Sequence, residues 1–536
     1  MADPLLISNP PLEVASNDVI KPKDGPDNPH DSIDGRVAQE IIIGLCGPIG
    51  SGIKSVESQL ISILREEHYQ VFTISVSKEI EKFMDAKSEK IEYVKNDKYS
   101  RYDKLMDAGN SLRQSIRDSI CADLAIAKKS DLRGDISGDE EVVKESALER
   151  KAYIISQLKH PAEVQALKKI YGNLFYLIGI LCDEDRRKQS LMDEGISDND
   201  AHKLIMRDKK ENDDHGQQLE KTLFNADFFI NNSDPNASTI KSLLARFFKL
   251  VHGSSGVTPT KEEYGMYAAH TASLQSACLS RQVGAAITND EGVVISVGHN
   301  DVPKFGGGLY SEDDNISPFS QDSRCVHRDQ RCHNDLHKQK LKQSLEKILT
   351  ENIEATFKDD SPELLDKFLA KVPDITDSLY KNSQIKSIIE YSRAIHAEMD
   401  AIISLGRGGA GIKHGTTIYT TTFPCHNCAR HIVAAGISKV IYIEPYEKSL
   451  ALSLHDDSIS HKKSEKKVWL KPFQGVAPSR YQMFFKNTTP DKDKEGKIIW
   501  TDKNDQLQVD KTFVDSYLDH ETKIAAKIKQ TTLSNK

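Results

Sequence analysis

The chain is 536 residues long, 38% hydrophobic and 28% charged, with a formal net charge of −8. That length predicts more than one domain, and the acidic balance argues against a large non-specific nucleic-acid footprint. No apolar run approaches the roughly 20 residues of a membrane span, the N-terminus lacks a secretory pattern, and the eight cysteines are too scattered for a disulfide framework, so a cytoplasmic protein is expected.

Residues 1–37 are rich in Pro, Asp and Asn without apolar periodicity and read as a disordered tail. Ile41 to Leu45 then reads as a strand, running into Gly47-Pro-Ile-Gly-Ser-Gly52 and an amphipathic helix over 53–66. Further strands are expected over 71–76, 152–158 and 174–181 with helices between them, so residues 38–252 read as a parallel α/β sheet. Strand, glycine-rich loop and helix form the setting of a phosphate-binding loop, where backbone N–H groups and the helix dipole face an anion. The usual pattern is G-x-x-x-x-G-K-[ST]. Gly47, Gly50, Ser51 and Gly52 suit it, but Ile53 stands where the lysine belongs, and Lys54 and Ser55 come one residue late. One residue is about 100° of helix rotation. Nucleotide binding without efficient hydrolysis is therefore expected, against a plain glycine turn packing a helix on a sheet. Downstream, Cys182-Asp-Glu-Asp-Arg-Arg187, Met206-Arg-Asp208 and Ala226-Asp-Phe-Phe-Ile-Asn231 resemble the lid and last strand of P-loop nucleotide kinases. That resemblance implies Arg186, Arg187 and Arg207 as phosphate-facing groups.

His252 to Thr260 reads as a linker. A second unit is expected over 261–536. It begins with a helix over 261–279 and strands over 284–289 and 293–299 around the turn Asp290-Glu-Gly292. A polar insertion over 305–387 follows, then helix 394–405, strand 416–422, helix 427–435 and strand 439–443. On this frame stand His396-Ala-Glu398 and Pro424-Cys425-His-Asn-Cys428, an H-x-E followed by P-C-x-x-C. The imidazole of His396 and the thiolates of Cys425 and Cys428 are a donor set for Zn²⁺ that leaves a fourth position for water, whose pKa the ion lowers. Glu398 is not a ligand and is placed to move protons, which is the requirement of hydrolytic nucleobase deamination. Cys425 stands where a strand meets a helix N-terminus, a setting that favours thiolate. The plain alternative is a structural zinc or two buried cysteines. Inside the insertion, Cys325, His327, Cys332 and His333 fall within nine positions. Two thiols and two imidazoles suffice for a second, structural metal, against loop residues that hold none.

Four stretches, Ser280-Arg-Gln-Val-Gly-Ala-Ala-Ile287, Gly298-His-Asn300, His396 to Glu398 and Thr422 to Cys428, resemble the deoxycytidylate deaminase family. The resemblance implies a cytidine-deaminase-like αβα sandwich, with Asn300 and Arg281 contacting substrate. Lys471 to Tyr481 offers further phosphate-binding groups, against an ordinary loop. A degenerate P-loop kinase-like unit joined to such a domain is similar to the two-domain deoxycytidylate deaminases of bacterial anti-phage defence. That likeness implies conversion of free dCTP, dCMP or both to the uracil forms, depletion of dCTP, and a homo-oligomer. It also implies control by a nucleotide effector or a small inhibitory RNA at the P-loop unit. An editing deaminase acting on tRNA or single-stranded DNA would want a basic, aromatic-rich channel, whereas this chain has two Trp and 7% aromatic residues. A nucleotide-sensing regulator with a vestigial site is the third reading, and the intact zinc set with Glu398 stands against it.

Overall fold

The computed structural model describes residues 36–134, 147–209 and 216–533, apart from positions 255, 279, 316–321, 326, 329, 358–361, 384, 386–387, 389–390, 410, 414, 446–448, 487–491, 493, 498–507 and 509–511. Residues 1–35 of the expected tail lie outside the described residues; Val37, at its end, is buried and bridges to Phe513.

The first sheet holds β1 (Ile41–Cys46), β2 (Gln70–Ser75), β3 (Lys151–Ser156), β4 (Phe175–Leu181) and β5 (Phe228–Asn231), parallel and in the order β2-β3-β1-β4-β5. β1 is apolar along its length because both of its faces are covered. Ile41, Ile43 and Leu45 join one core with Val56, Leu60 and Leu64 of helix Ile53–Glu66, which bury one stripe at helical spacing. Ile42 and Cys46 join the opposite core with Leu124 of helix Ile120–Arg133 and Val164 of helix Pro161–Tyr171.

The second sheet comprises β6 (Gly284–Thr288), β7 (Val294–His299), β8 (Thr417–Thr422), β9 (Lys439–Glu444), β10 (Ile459–Ser460) and β11 (Val468–Pro472), in the order β10-β11-β9-β8-β6-β7. β6 pairs antiparallel with β7 and β8, while β8, β9, β11 and β10 run parallel. Ala285, Ile287 and Ile418 face helices Ala397–Arg407 and His426–Ala434, with Ala401 and Ala429 in the same core. Ala286 and Tyr419 face the other way, toward Met266 and Ala269 of helix Lys261–Ser273. That core is continuous with the outer core of the first sheet, so the two α/β units share apolar packing.

The unit expected over 261–536 does not stay on its own side. β12 (Gly475–Val476) adds antiparallel to β5 at the edge of the first sheet. Helix Leu518–Leu533 also returns, and its Glu521 is buried against Lys129 and Tyr171. The physical reason is polar pairing at long range. Arg480 Nε donates to Asp227 Oδ1 at 2.7 Å, and the Ala477 amide donates to the Asp227 carbonyl at 3.0 Å. The insertion contributes helices His333–Thr356, Pro362–Leu369 and Val372–Asn382. No helix among the described residues is long and apolar enough to cross a membrane.

Candidate functional site

The zinc-type donors sit at the starts of two helices. His396 is the N-cap of helix Ala397–Arg407, and Cys425 is the N-cap of helix His426–Ala434. Cys428 lies one turn further on, and its amide donates to Cys425 Sγ at 3.4 Å. The helix that carries His396 is fixed against β7. Asp400 Oδ2 accepts from the His299 amide at 3.1 Å, and the Ile395 amide donates to the Asp301 carbonyl at 2.9 Å. Gly298 permits this approach, because a Cβ there would lie 2.3 Å from the Ala401 nitrogen.

His396 Nδ1 is 3.3 Å from Cys425 Sγ and 3.3 Å from Cys428 Sγ. Ligands bound to one tetrahedral zinc at ordinary bond lengths stand about 3.5 Å apart, so the set fits that ion with small adjustment. Among the described residues this is the cluster of His, Cys, Asp or Glu side chains that converges closely enough to hold a metal. Glu398 is buried in the first turn of the same helix, with Oε2 3.4 Å from Cys428 Sγ. Burial pushes its carboxyl above the usual range, against the pull of His396. The Cys425 thiol is drawn down to about 4, first by the Cys428 thiol and then, against its burial, by His396.

The expected substrate groups are placed less simply. Asn300 closes β7 but spends its amide on the chain: Oδ1 accepts from the Val283 amide at 2.7 Å and Nδ2 donates to the Arg281 carbonyl at 3.0 Å. It thereby fixes the segment that presents Arg281. The Arg281 guanidinium is 44% exposed and pairs at 3.0 Å with Glu444, which closes β9. Nothing in the sequence pattern singled out Glu444. Lys471 and Arg480, expected as phosphate groups, are instead committed to Glu262 at 2.8 Å and Asp227 at 2.7 Å.

The second metal cluster is not assembled. The Cys325 thiol lies beside that of Cys278, which raises it, while His327 lies 3.7 Å from Asp322. Cys332 and His333 open the helix His333–Thr356. Cys325 is held where it is because its amide and those of Val302 and Ala277 all donate to the buried Asp301 carboxylate.

The glycine-rich loop has the expected shape, with Gly50 at φ 78° and Gly52 at φ 79°. Lys54 and Ser55 are exposed on the first turn of their helix. The loop is met instead by groups from elsewhere. The Ile49 amide donates to Asp208 Oδ2 at 2.6 Å, and Lys159 Nζ donates to Asp208 Oδ1 at 2.6 Å and to the Gly47 carbonyl at 2.9 Å. Arg187 Nε donates to the Ile49 carbonyl at 3.0 Å. Arg207 points away, to Asp103 and to Asp107 at 2.6 Å. Arg186 is half-buried beside Arg187. Lys159 carried no signal in the sequence, since it follows β3 in no recognisable motif; Asp208 stood in a segment read for its arginine.

Over residues 259–444 the chain matches the model of the family described as the cytidine and deoxycytidylate deaminase zinc-binding region. The deoxycytidylate deaminase of Enterobacteria phage T2 is 46% identical over 55 residues, which is 10% of this chain and 29% of that protein. ComE operon protein 2 of Bacillus subtilis is 43% identical over 56 residues, again 10% of this chain and 29% of that protein. The chain thus spans 29% of the length of each of these curated relatives. The crystal structure of dCMP deaminase from the cyanophage S-TIM5 in apo form aligns at 16% identity and a TM-score of 0.21, over 40% of this chain and 100% of that one. The zinc-binding region of the family and the converging His396, Cys425 and Cys428 make zinc the cofactor of this chain.

Proposed function

We propose that the chain is a zinc-dependent hydrolase that deaminates free deoxycytidine nucleotides, dCTP, dCMP or both, at the His396/Cys425/Cys428 site. The observation that carries this reading is the buried convergence of those three donors with Glu398 beside them. When bound, the zinc supplies Lewis acidity that brings the attacking water's pKa toward neutrality. Glu398 then does the proton work. Its carboxylate takes a proton from the attacking water, delivers it to the ring nitrogen of cytosine, and a further transfer lets the amino group leave as ammonia. Burial raises the carboxyl above its usual range, which makes the carboxylate a better base toward the attacking water. Arg281 is the proposed substrate contact, and Asn300, expected to be one too, is the proposed positioning residue. Arg281 is the exposed cation suited to a nucleotide phosphate, and Asn300 keeps it in place.

The strand order around β1, with the glycine-rich loop leading into helix Ile53–Glu66, supports the reading of residues 38–252 as a P-loop nucleotide-kinase-like unit with a regulatory role. A cavity of about 240 Å³ lies between the units, with Pro48 and Arg187 on one wall and Phe423, Tyr442 and Ser449 on the other. Ser449 Oγ donates to the Pro424 carbonyl at 2.7 Å, next to Cys425. A nucleotide or small RNA that moves the loop can therefore bias the zinc site through this wall, provided it binds the two states unequally. Depletion of dCTP in anti-phage defence, in the cytoplasm and by a homo-oligomer, is the role this activity would serve.

The test is a substrate panel: dCMP, dCTP, cytidine and a cytosine-containing single-stranded DNA, with uracil products separated by chromatography. Turnover of the free deoxynucleotides and not of the DNA is expected. Deamination of the DNA with none of dCMP or dCTP would overturn the assignment.

A further inference from the structure

We propose that Lys159 takes the place of the displaced loop lysine, and that Asp208 is a resident anion in the glycine-rich loop which a phosphoryl group must displace to bind there. The inference rests on the P-loop reading above and adds to it the cation, the competitor and the ligand class.

A phosphate loop works by presenting backbone N–H groups and one lysine ammonium to phosphate oxygens. Here Lys54, on the first turn of the helix that follows the loop, is exposed. Lys159 offers the ammonium from the carboxyl end of β3. Its Nζ lies 2.9 Å from the Gly47 carbonyl, so it folds over the mouth of the loop. The anion in front of it is the Asp208 carboxylate, whose side chain is fully buried. One carboxylate oxygen takes the Ile49 amide at 2.6 Å, and the other takes Lys159 at 2.6 Å. The Arg187 guanidinium stands 3.9 Å from the first oxygen. Backbone amide, ammonium and guanidinium are the donor types that also hold a phosphate, and a carboxylate is the oxyanion the chain itself can supply.

A second observation points to a ligand. Ser51 Oγ, inside the loop, is buried without a hydrogen-bond partner. Asn232 Nδ2 is spent on the Ser51 carbonyl at 2.7 Å. A buried hydroxyl with no partner costs stability, and a bound group that accepts its hydrogen bond removes that cost. A phosphoryl group has more oxygens than a carboxylate and reaches such a donor. With Asp208 displaced, the Lys159 ammonium loses its carboxylate partner and faces the loop as a positive charge, which suits a nucleoside di- or triphosphate.

Calorimetry with inorganic pyrophosphate and with dTTP tests this, since thymine has no amino group to be hydrolysed. Asp208→Asn keeps the shape and removes the charge, and should tighten both ligands about tenfold over the parent. Lys159→Met, alone or added to Asp208→Asn, should abolish the binding, and Lys54→Met should not. Asp208→Ser serves if the Asn variant does not fold, with zinc content as the check on the second unit. If parent and variants alike bind neither probe, both the P-loop reading and this inference fail. If the parent binds and is indifferent to Asp208 and Lys159, or is instead sensitive to Lys54, this inference alone is overturned.

Discussion

Glu398 and Cys428 touch, with Oε2 3.4 Å from Sγ, yet their replacement should have different consequences. Glu398→Gln keeps the side chain's size and removes the proton carrier. Zinc content should stay at the parental level while turnover of dCMP and dCTP falls about 10²–10⁴-fold. Parental rates in that variant would remove Glu398 from the mechanism. Cys428→Ser removes a donor and should cost metal and activity together, read by elemental analysis beside the rate. These residues were legible in the sequence because each spacing is short and local: H-x-E spans one turn, and P-C-x-x-C straddles a strand end and a helix start. Lys159 and Asp208 were not, because their meeting depends on segments 49 residues apart closing over a loop 159 residues from Asp208. The second metal cluster shows the reverse. Nearness in sequence suggested it, but Asp301 holds the Cys325 backbone beside Cys278, and the four side chains do not converge.

The pairing of β7 with helix Ala397–Arg407 sets where His396 stands. Gly298→Ala would put a methyl group 2.3 Å from the Ala401 nitrogen and 2.5 Å from the Ala397 carbonyl oxygen. Both are backbone atoms, so the helix must move. A loss of about 1–3 kcal/mol in denaturant unfolding is expected, together with reduced zinc occupancy. An unchanged midpoint and full zinc would show that this contact does not position the site. Elements with a strong apolar period were readable: helix Ile53–Glu66 has the bounds its periodicity gave. The helix expected over 261–279 ends at Ser273 instead. There the chain exchanges helical bonds for tertiary ones, with Ser276 Oγ on the Asn300 carbonyl and the Ala277 amide on Asp301. The first insertion helix was missed for a different reason. Helix His333–Thr356 buries no residue fully, and its half-buried stripe of Leu341, Leu345, Leu349 and Ile353 is diluted by the polar residues between them.

At the scale of the molecule, the C-terminal helix ties the chain back to its beginning. Lys129 and Arg133 are buried between Glu40 and Glu521, with Lys129 Nζ 2.9 Å and 3.0 Å from the two carboxylates. Tyr171 and Tyr517 add hydrogen bonds to Glu521 and Glu40. Two cations and two anions balance, so removing one partner leaves a charge stranded. Glu521→Ala is expected to destabilise the fold by about 3–5 kcal/mol, seen as an early unfolding transition. Burial alone would raise the Glu40 carboxyl, but Lys129 and Arg133 outweigh it and hold it at about 2, below the ordinary 4.5. A carboxyl with a depressed folded pKa contributes stability above its unfolded value and loses it on acidification. Unfolding should therefore set in as the pH drops from about 4.5 toward 2, and a pH-independent melting curve across that window would contradict the role of the quartet. None of this was visible in the sequence, since Lys129 and Glu521 lie 392 residues apart. The proposed activity is tested most directly by measuring zinc and deamination on the same preparation. One zinc per chain, conversion of dCTP or dCMP to the uracil nucleotide with ammonia released, and loss of both in Cys428→Ser is the expected result. Full zinc occupancy with neither nucleotide converted, or conversion by metal-free protein, would contradict it.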